Sequence, residues 1–300
     1  MTTSSLDYLP RLPRFDYLEP ETISESCALL AKYGGKAKVL AGGTDLLVSM
    51  KRKKQSPTYL INLKSIPGLD YIRYSAKGGL RLGALARLWS IASSPIINDK
   101  FRLLATAANK IGTPQVRNMG TIGGNVCNAG PSQDSIPALL VLDARLKLVS
   151  QQAKRIVPVD QFFIGPFQTA LSDSEILTEI EIPAPRPRSE GCYHWLTKKT
   201  EVDETLVGVA VLITPDSTGN ICEDIKIGLC SVAPTPIRAK RAEVVMRGRA
   251  IESSAIEEAA QVAAEETTPR SRADYRRQMT AVLVKRAVNE VLQKIRQTVD

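Results

Sequence analysis

Gln115-Val116-Arg117-Asn118-Met119-Gly120-Thr121-Ile122-Gly123-Gly124-Asn125, continuing through Ala129-Gly130-Pro131 to Asp134, is the stretch on which the fold turns. It gathers three glycines, two asparagines and a threonine, with apolar segments on either side. Glycine has no Cβ, so backbone amides there can turn inward and approach a ligand closely. Amides presented this way favour phosphate oxygens, and Thr121 and Asn125 would add side-chain hydrogen bonds. A second stretch of the same character lies upstream, Val39-Leu40-Ala41-Gly42-Gly43-Thr44-Asp45-Leu46-Leu47. Two such loops imply a diphosphate gripped from two sides.

Around the upstream loop the pattern is β-α-β-α-β. The first twelve residues read as an arm or strand lead-in, and Phe15 to Leu18 as a short strand. Glu21 to Tyr33 has apolar residues at helical spacing, an acidic start and a Gly34-Gly35 stop, so a helix is expected. Lys36 to Leu40 reads as a strand, Ala41 to Thr44 as a tight turn, Asp45 to Lys53 as a helix and Thr58 to Leu63 as a strand. Asp70–Tyr74 and Leu80–Leu85 flank a hairpin turn, and Ile96 to Ile111 reads as one helix. Beyond the long glycine stretch come a helix at Ser135–Leu142 and strands at Arg145–Val149, Arg155–Val159 and Glu175–Ile182.

Pro183-Ala184-Pro185-Arg186-Pro187-Arg188-Ser189 is a linker signature, because alternate prolines remove amide donors and favour extended backbone. It divides the chain into a first domain, 1–183 (subdomains about 1–65 and 66–183), a linker, 184–189, and a second domain, 190–300. In the second, Cys192–Thr197, Leu206–Ile213 and Ile221–Val232 read as a three-stranded antiparallel sheet. Arg238–Met246, Ser253–Glu266 and Ala273–Val299 read as helices. The fold class expected is α+β.

The 300 residues are 43% hydrophobic and 24% charged, ordinary for a chain that buries a core. No apolar run is long enough for a membrane span, and no secretory signal opens the chain, so a cytoplasmic location is expected. The net charge of +9 is not accompanied by a recognition motif, and aromatics are 5% of residues, so no nucleic-acid partner is expected. Five scattered cysteines form no C-x-x-C pair, and the one histidine, His194, argues against a histidine-based zinc site. No metal ligands and no general acid or base are nominated.

Three ligands compete for the paired loops. A P-loop requires G-x-x-x-x-G-K-[ST], which does not occur. A Rossmann site requires G-x-G-x-x-G, and neither stretch has that spacing. A dinucleotide-like cofactor held by two separated loops remains, and FAD meets that description. Asp134 would then suit a flavin hydroxyl or ring N–H, with Ile111 offering an apolar surface to the ring. Alone, Ala-Gly-Gly-Thr-Asp is an ordinary turn with Thr44 as helix cap; Gly120, Gly123, Gly124 and Gly130 together exceed what a turn needs.

Lys38 to Leu46, the long glycine stretch and Arg272-Ala273-Asp274-Tyr275-Arg276-Arg277 together resemble the FAD-binding medium subunit of molybdenum hydroxylases. This is the family of carbon monoxide dehydrogenase, xanthine dehydrogenase and aldehyde oxidoreductase. The resemblance runs from Pro13 to about Leu292 in unchanged order. It implies a two-part FAD-binding domain of the vanillyl-alcohol oxidase type and a smaller α+β domain. It places FAD against Val39, Leu40, Ala41, Gly42, Gly43, Thr44, Asp45 and Leu46, and against Thr121, Ile122, Gly123, Gly124 and Asn125. Ile111, Asp134, Ile176 and Leu177 match further contact positions. It also implies a large molybdopterin subunit, a small subunit with two [2Fe-2S] clusters, a dimer of heterotrimers and an external electron acceptor. Many relatives carry F-x-K-x-x-x-R near the flavin. Here Trp195 stands at the lysine and Lys199 at the arginine, so either Lys198 or Lys199 substitutes or the flavin contact differs, and Lys198 is the position nominated. The extra cysteine loop of one related subunit is missing, and no cluster is expected within the chain. The competing reading is a self-sufficient oxidoreductase like UDP-N-acetylenolpyruvylglucosamine reductase, which has a similar FAD domain.

Overall fold

The computed structural model describes residues 11–299, so the expected N-terminal arm lies mostly outside the described residues. The first unit is a parallel sheet. Its strands are β1 (Asp16–Leu18), β2 (Ala37–Leu40) and β3 (Tyr59–Asn62), in the order β1-β3-β2. The central strand is covered on both sides. Ile61 packs with Cys27 and Leu30 of α1 (Ile23–Tyr33), and Leu60 with Met50 of α2 (Leu46–Lys51). Thr22 caps α1 by accepting from the Glu25 amide at 3.1 Å, and Gly34, at φ +53°, closes it.

The second unit is an antiparallel sheet whose middle strand comes last in sequence. Its strands are β4 (Ile72–Ser75), β5 (Gly79–Gly83), β6 (Arg145–Val149), β7 (Lys154–Pro158) and β10 (Ile176–Ile182), in the order β4-β5-β10-β6-β7. A small hairpin, β8 (Phe163–Gly165) with β9 (Gln168–Thr169), precedes β10 and had no clear sequence signal. Helices fill the excursion between β5 and β6: α3 (Leu88–Ser93), α4 (Pro95–Lys100), α5 (Arg102–Lys110), α6 (Pro114–Met119), α7 (Ile122–Asn128) and α8 (Ser135–Val141).

Two expectations are corrected here. The single helix at 96–111 is broken at Phe101, whose φ of −138° leaves the helical region. That side chain is buried edge-on to Tyr74, centroids 5.9 Å apart, and this burial overrides helical continuity. The long glycine stretch is not a loop but two short helices, α6 and α7, meeting at an extended Gly120-Thr121. Thr113 and Thr121 cap them, each accepting from the amide three residues on.

Residues 183–189 run without helix or strand into the second sheet. This has four strands rather than three: β11 (Glu190–Thr197), β12 (Thr205–Pro215), β13 (Cys222–Cys230) and the two-residue β14 (Ile237–Arg238). Val207, Val209, Val211 and Ile213 of β12 face α9 (Lys240–Met246), α10 (Ser253–Glu265) and α11 (Ala273–Val299). The alternate residue Ala210, with Tyr193 of β11, joins the core formed by α5, α8 and the five-stranded sheet. The sheet is therefore covered on both faces at β12, which is why that strand reads as a continuous apolar run from Leu206 to Ile213. No helix among the described residues is long and apolar enough to cross a membrane.

Glycine sets the approach of α8. A Cβ on Gly228 would lie 2.5 Å from the Pro137 carbonyl oxygen and 3.0 Å from its Cα. Gly228→Ala should destabilise the protein by about 1–3 kcal/mol through overpacking, read as a lower urea midpoint. A midpoint equal to wild type would mean that α8 yields at no cost.

Candidate functional site

The two glycine stretches meet at residue 42. A Cβ there would stand 2.2 Å from the Met119 carbonyl oxygen and 2.9 Å from Gly120 Cα, a contact only glycine permits. Gly43 follows at φ +75°, and Ala41 and Thr44 lie beside Gly124 and Gly120. Among the described residues, the amides of Gly42, Gly43, Thr44 and Asp45 donate to no protein acceptor. Unpaired amides grouped in one turn form an anion-binding concavity. Asp45, rather than Thr44, stands at the cap position of α2, and its side chain makes no capping bond. Val39 and Leu40 end β2, and Leu46 opens α2.

The downstream stretch is built differently from the expectation. From Ile122 to Asn125 its amides are committed within the protein, while among the described residues that of Thr121 is not: Ile122 donates to the Ala86 carbonyl and Gly123 to that of Ala84, each at 2.9 Å. Asn125 N–H donates to the Thr121 carbonyl at 2.9 Å, and Gly124 N–H to Thr121 Oγ1 at 3.1 Å. Gly123 is small because a Cβ would meet the Ala84 carbonyl oxygen at 2.6 Å. The side chain of Asn125 is engaged too, donating to Gln133 and accepting from Ser135 Oγ at 2.5 Å. Thr121 and Asn125 thus shape this wall through internal bonds, while the upstream turn carries the free donors.

Asp134 is buried at the join between the two halves. Its Oδ1 accepts from Tyr193 OH and from Thr205 Oγ1, both at 2.6 Å, and among the described residues Oδ2 has no protein partner. Burial pushes this carboxyl above the ordinary aspartate range, while the Thr205 and Tyr193 hydroxyls and the Lys110 ammonium pull it back. Two further bonds fasten the turn between β11 and β12 to the same place. Lys110 Nζ donates to the Asp203 carbonyl at 3.1 Å, and Ser132 Oγ to Glu204 at 2.6 Å. None of Tyr193, Thr205, Lys110, Ser132 or Glu204 was legible as a site residue, since each reads as an ordinary helix, strand or turn position.

The remaining candidates are scattered by role. Ile111 is half-buried at the end of α5, where its carbonyl and that of Gly112 accept from buried Arg117, at 3.3 and 2.7 Å. Ile176 and Leu177 are both buried, in different cores. Lys198 is exposed on the turn after β11.

Residues 13–185 match the FAD binding domain in molybdopterin dehydrogenase, and residues 192–291 match the CO dehydrogenase flavoprotein C-terminal domain. The chain belongs to the flavin-binding medium subunits of the molybdenum hydroxylases. It is 37% identical over 281 residues to the carbon monoxide dehydrogenase medium chain of Hydrogenophaga pseudoflava, covering 92% of this chain and 96% of that one. The glyceraldehyde dehydrogenase medium chain of Sulfolobus acidocaldarius is 33% identical over 286 residues, covering 93% and 99%. The solved carbon monoxide dehydrogenase of Hydrogenophaga pseudoflava aligns with a TM-score of 0.90 at 36% identity, over 94% of this chain and 98% of that chain. The medium subunit is thus part of an oxidoreductase family, and the match over 192–291 disfavours the self-sufficient reductase.

Tyr193→Phe removes one of the two donors holding the Asp134 carboxylate, so that carboxyl rises further. The folded chain then holds a proton that the unfolded chain releases above about pH 4. Stability should fall further below wild type as pH rises from that value through the raised native one, reaching a loss of about 1.5–3 kcal/mol. Urea unfolding at several pH values measures it. A deficit that does not vary with pH would remove Asp134 from the explanation.

Proposed function

We propose that this medium subunit holds FAD with its diphosphate against the upstream turn, Gly42 to Asp45. The unpaired amides of that turn, pressed against Met119-Gly120, are the observation that supports the reading most directly. Val39 to Leu46 form one wall, in which Gly42 to Asp45 supply the donors, and Thr121 to Asn125 form the facing wall. Asp134 Oδ2 offers an acceptor to a flavin hydroxyl or ring N–H, and Ile111 an apolar edge. Ile176 and Leu177 close the site from behind, and Lys198 stands on a turn fastened beside Asp134. The division at 184–189 belongs to the same proposal.

When bound, FAD supplies the capacity to take electrons singly and return them in pairs. The chain's own work is to bind and orient: amides for the phosphates, a fixed carboxylate oxygen for the ring end, and a latched second domain as a rigid neighbour. No side chain is assigned an acid or base role. In this reading the subunit receives electrons from a small subunit with two [2Fe-2S] clusters and passes them to an external acceptor. A large molybdopterin subunit oxidises the substrate. The assembly is a dimer of heterotrimers in the cytoplasm.

Gly42→Ala tests the clamp, because a methyl 2.2 Å from the Met119 oxygen must separate the two walls. FAD titration of the flavin-free chain, followed by flavin fluorescence, should show at least about tenfold weaker binding, or about 1.4 kcal/mol. Unchanged affinity would refute the clamp. Co-expression with the neighbouring large and small subunits tests the assembly, with molybdenum, iron and flavin expected in one complex.

A further inference from the structure

We propose that Cys192, His194 and Glu290 form a site for a divalent transition-metal ion, with zinc the ion their chemistry suits best. Cys192 and His194 are two apart on β11 and share one face, since side chains alternate along a strand. That face meets α11: Cys192 Sγ donates to the Ala287 carbonyl at 3.4 Å, and His194 Nε2 lies 2.7 Å from Glu290 Oε2. Among the described residues these three are the group whose sulfur, nitrogen and oxygen ligand atoms all fall within 4.8 Å of one another. Tyr193 and Trp195, on the opposite face, pack with the flavin half, so this site is separate from the flavin clamp.

The ligand set is selective. Thiolate and imidazole favour zinc over magnesium or calcium, and one carboxylate completes a common three-ligand arrangement. A tetrahedral zinc ion needs ligand edges of roughly 3.3–3.6 Å, from bond lengths of about 2.0–2.3 Å. The His194–Glu290 contact must therefore open by roughly 0.6 Å and the sulfur draw in, which rotation of two half-exposed side chains allows. Lys294 does not block the ion, because it pairs with Glu290 Oε1 at 2.7 Å while His194 sits on Oε2. The ion takes Oε2 and Lys294 keeps its oxygen. Binding displaces the proton of the Cys192 thiol to solvent, and the fourth position faces water on the side where His194 and Glu290 are exposed. A single histidine in the sequence argues against such a site; the carboxylate 96 residues further on changes that.

A bound ion would clip α11 to β11 and stabilise the folded chain by mass action. The full-length flavin-loaded protein, stripped with a chelator and dialysed, is titrated with zinc by calorimetry. It is also titrated with cobalt by difference absorbance against the flavin spectrum. One ion per chain, a thiolate-to-cobalt charge-transfer band and a raised melting temperature with zinc are expected. Cys192→Ser should abolish the band, and Cys192→Ser and His194→Gln should each weaken zinc by at least about tenfold, the scale on which lost supporting interactions act. Retained flavin absorbance in the variants shows that they are folded and keeps this result apart from the flavin reading. Absence of the band in the wild type, binding below one ion per chain, or zinc affinity unchanged in both variants would overturn the site.

Discussion

The approach of Gly42 to the Met119 carbonyl is the constraint on which the flavin half rests. It brings the turn of a parallel sheet against the junction of two helices that belong to an antiparallel one. Neither wall would make a clamp alone. The upstream turn has free donors but no floor, and the downstream helices have a floor but have spent their amides on Ala84, Ala86 and Thr121. In the proposed clamp the labour is divided: one wall binds and the other shapes. β10 reinforces the arrangement from behind. Ile176 enters the core of the first unit and its neighbour Leu177 that of the second, so one strand stitches both together.

The second domain depends on a similar economy of side-chain volume. Its sheet is sandwiched between α5 and α8 on one face and α9 to α11 on the other. Gly191, Gly208 and Gly228 all lie where a Cβ would collide, with Leu103, with Tyr193 and Cys230, and with Pro137. Alternate residues of β12 therefore serve different halves of the molecule. The polar contribution is concentrated at Asp134, one carboxylate oxygen answering hydroxyls from β11 and β12. A buried carboxylate of this kind is tolerable because it is hydrogen-bonded, and it fixes register where apolar packing alone would not.

Much of this was legible in the sequence. Helical spacing after Pro20, the Gly34-Gly35 stop and the apolar strands located the first unit to within one or two residues, because local signals and tertiary packing agree there. The glycine-rich wall was misread as a loop. Thr113-Pro114 and Thr121 are helix caps, but three glycines nearby outweighed them, and only the contact with Ala84 explains why a helix needs Gly123. Phe101 broke a helix that periodicity favoured, since its burial against Tyr74 is a long-range effect. The latch residues were invisible for the same reason. Tyr193 looks like any strand tyrosine until Asp134 is placed beneath it. Asp134 itself was found through the glycine stretch, while its partners came from the fold.

The position of β10 has a consequence for how the chain is made. It is the middle strand of its sheet, pairing with β5 on one side and β6 on the other, yet it is the last of that sheet to be synthesised. The hairpins β4–β5 and β6–β7 can form locally as the chain emerges from the ribosome, but each presents an open edge until residue 182 arrives. The first core also waits, because Ile176 seals it. Completion of the proposed clamp is thus a late event during translation, and the Asp134 latch comes later still, after Thr205. A nascent chain halted short of β10 would carry both glycine walls without the strand that joins their cores.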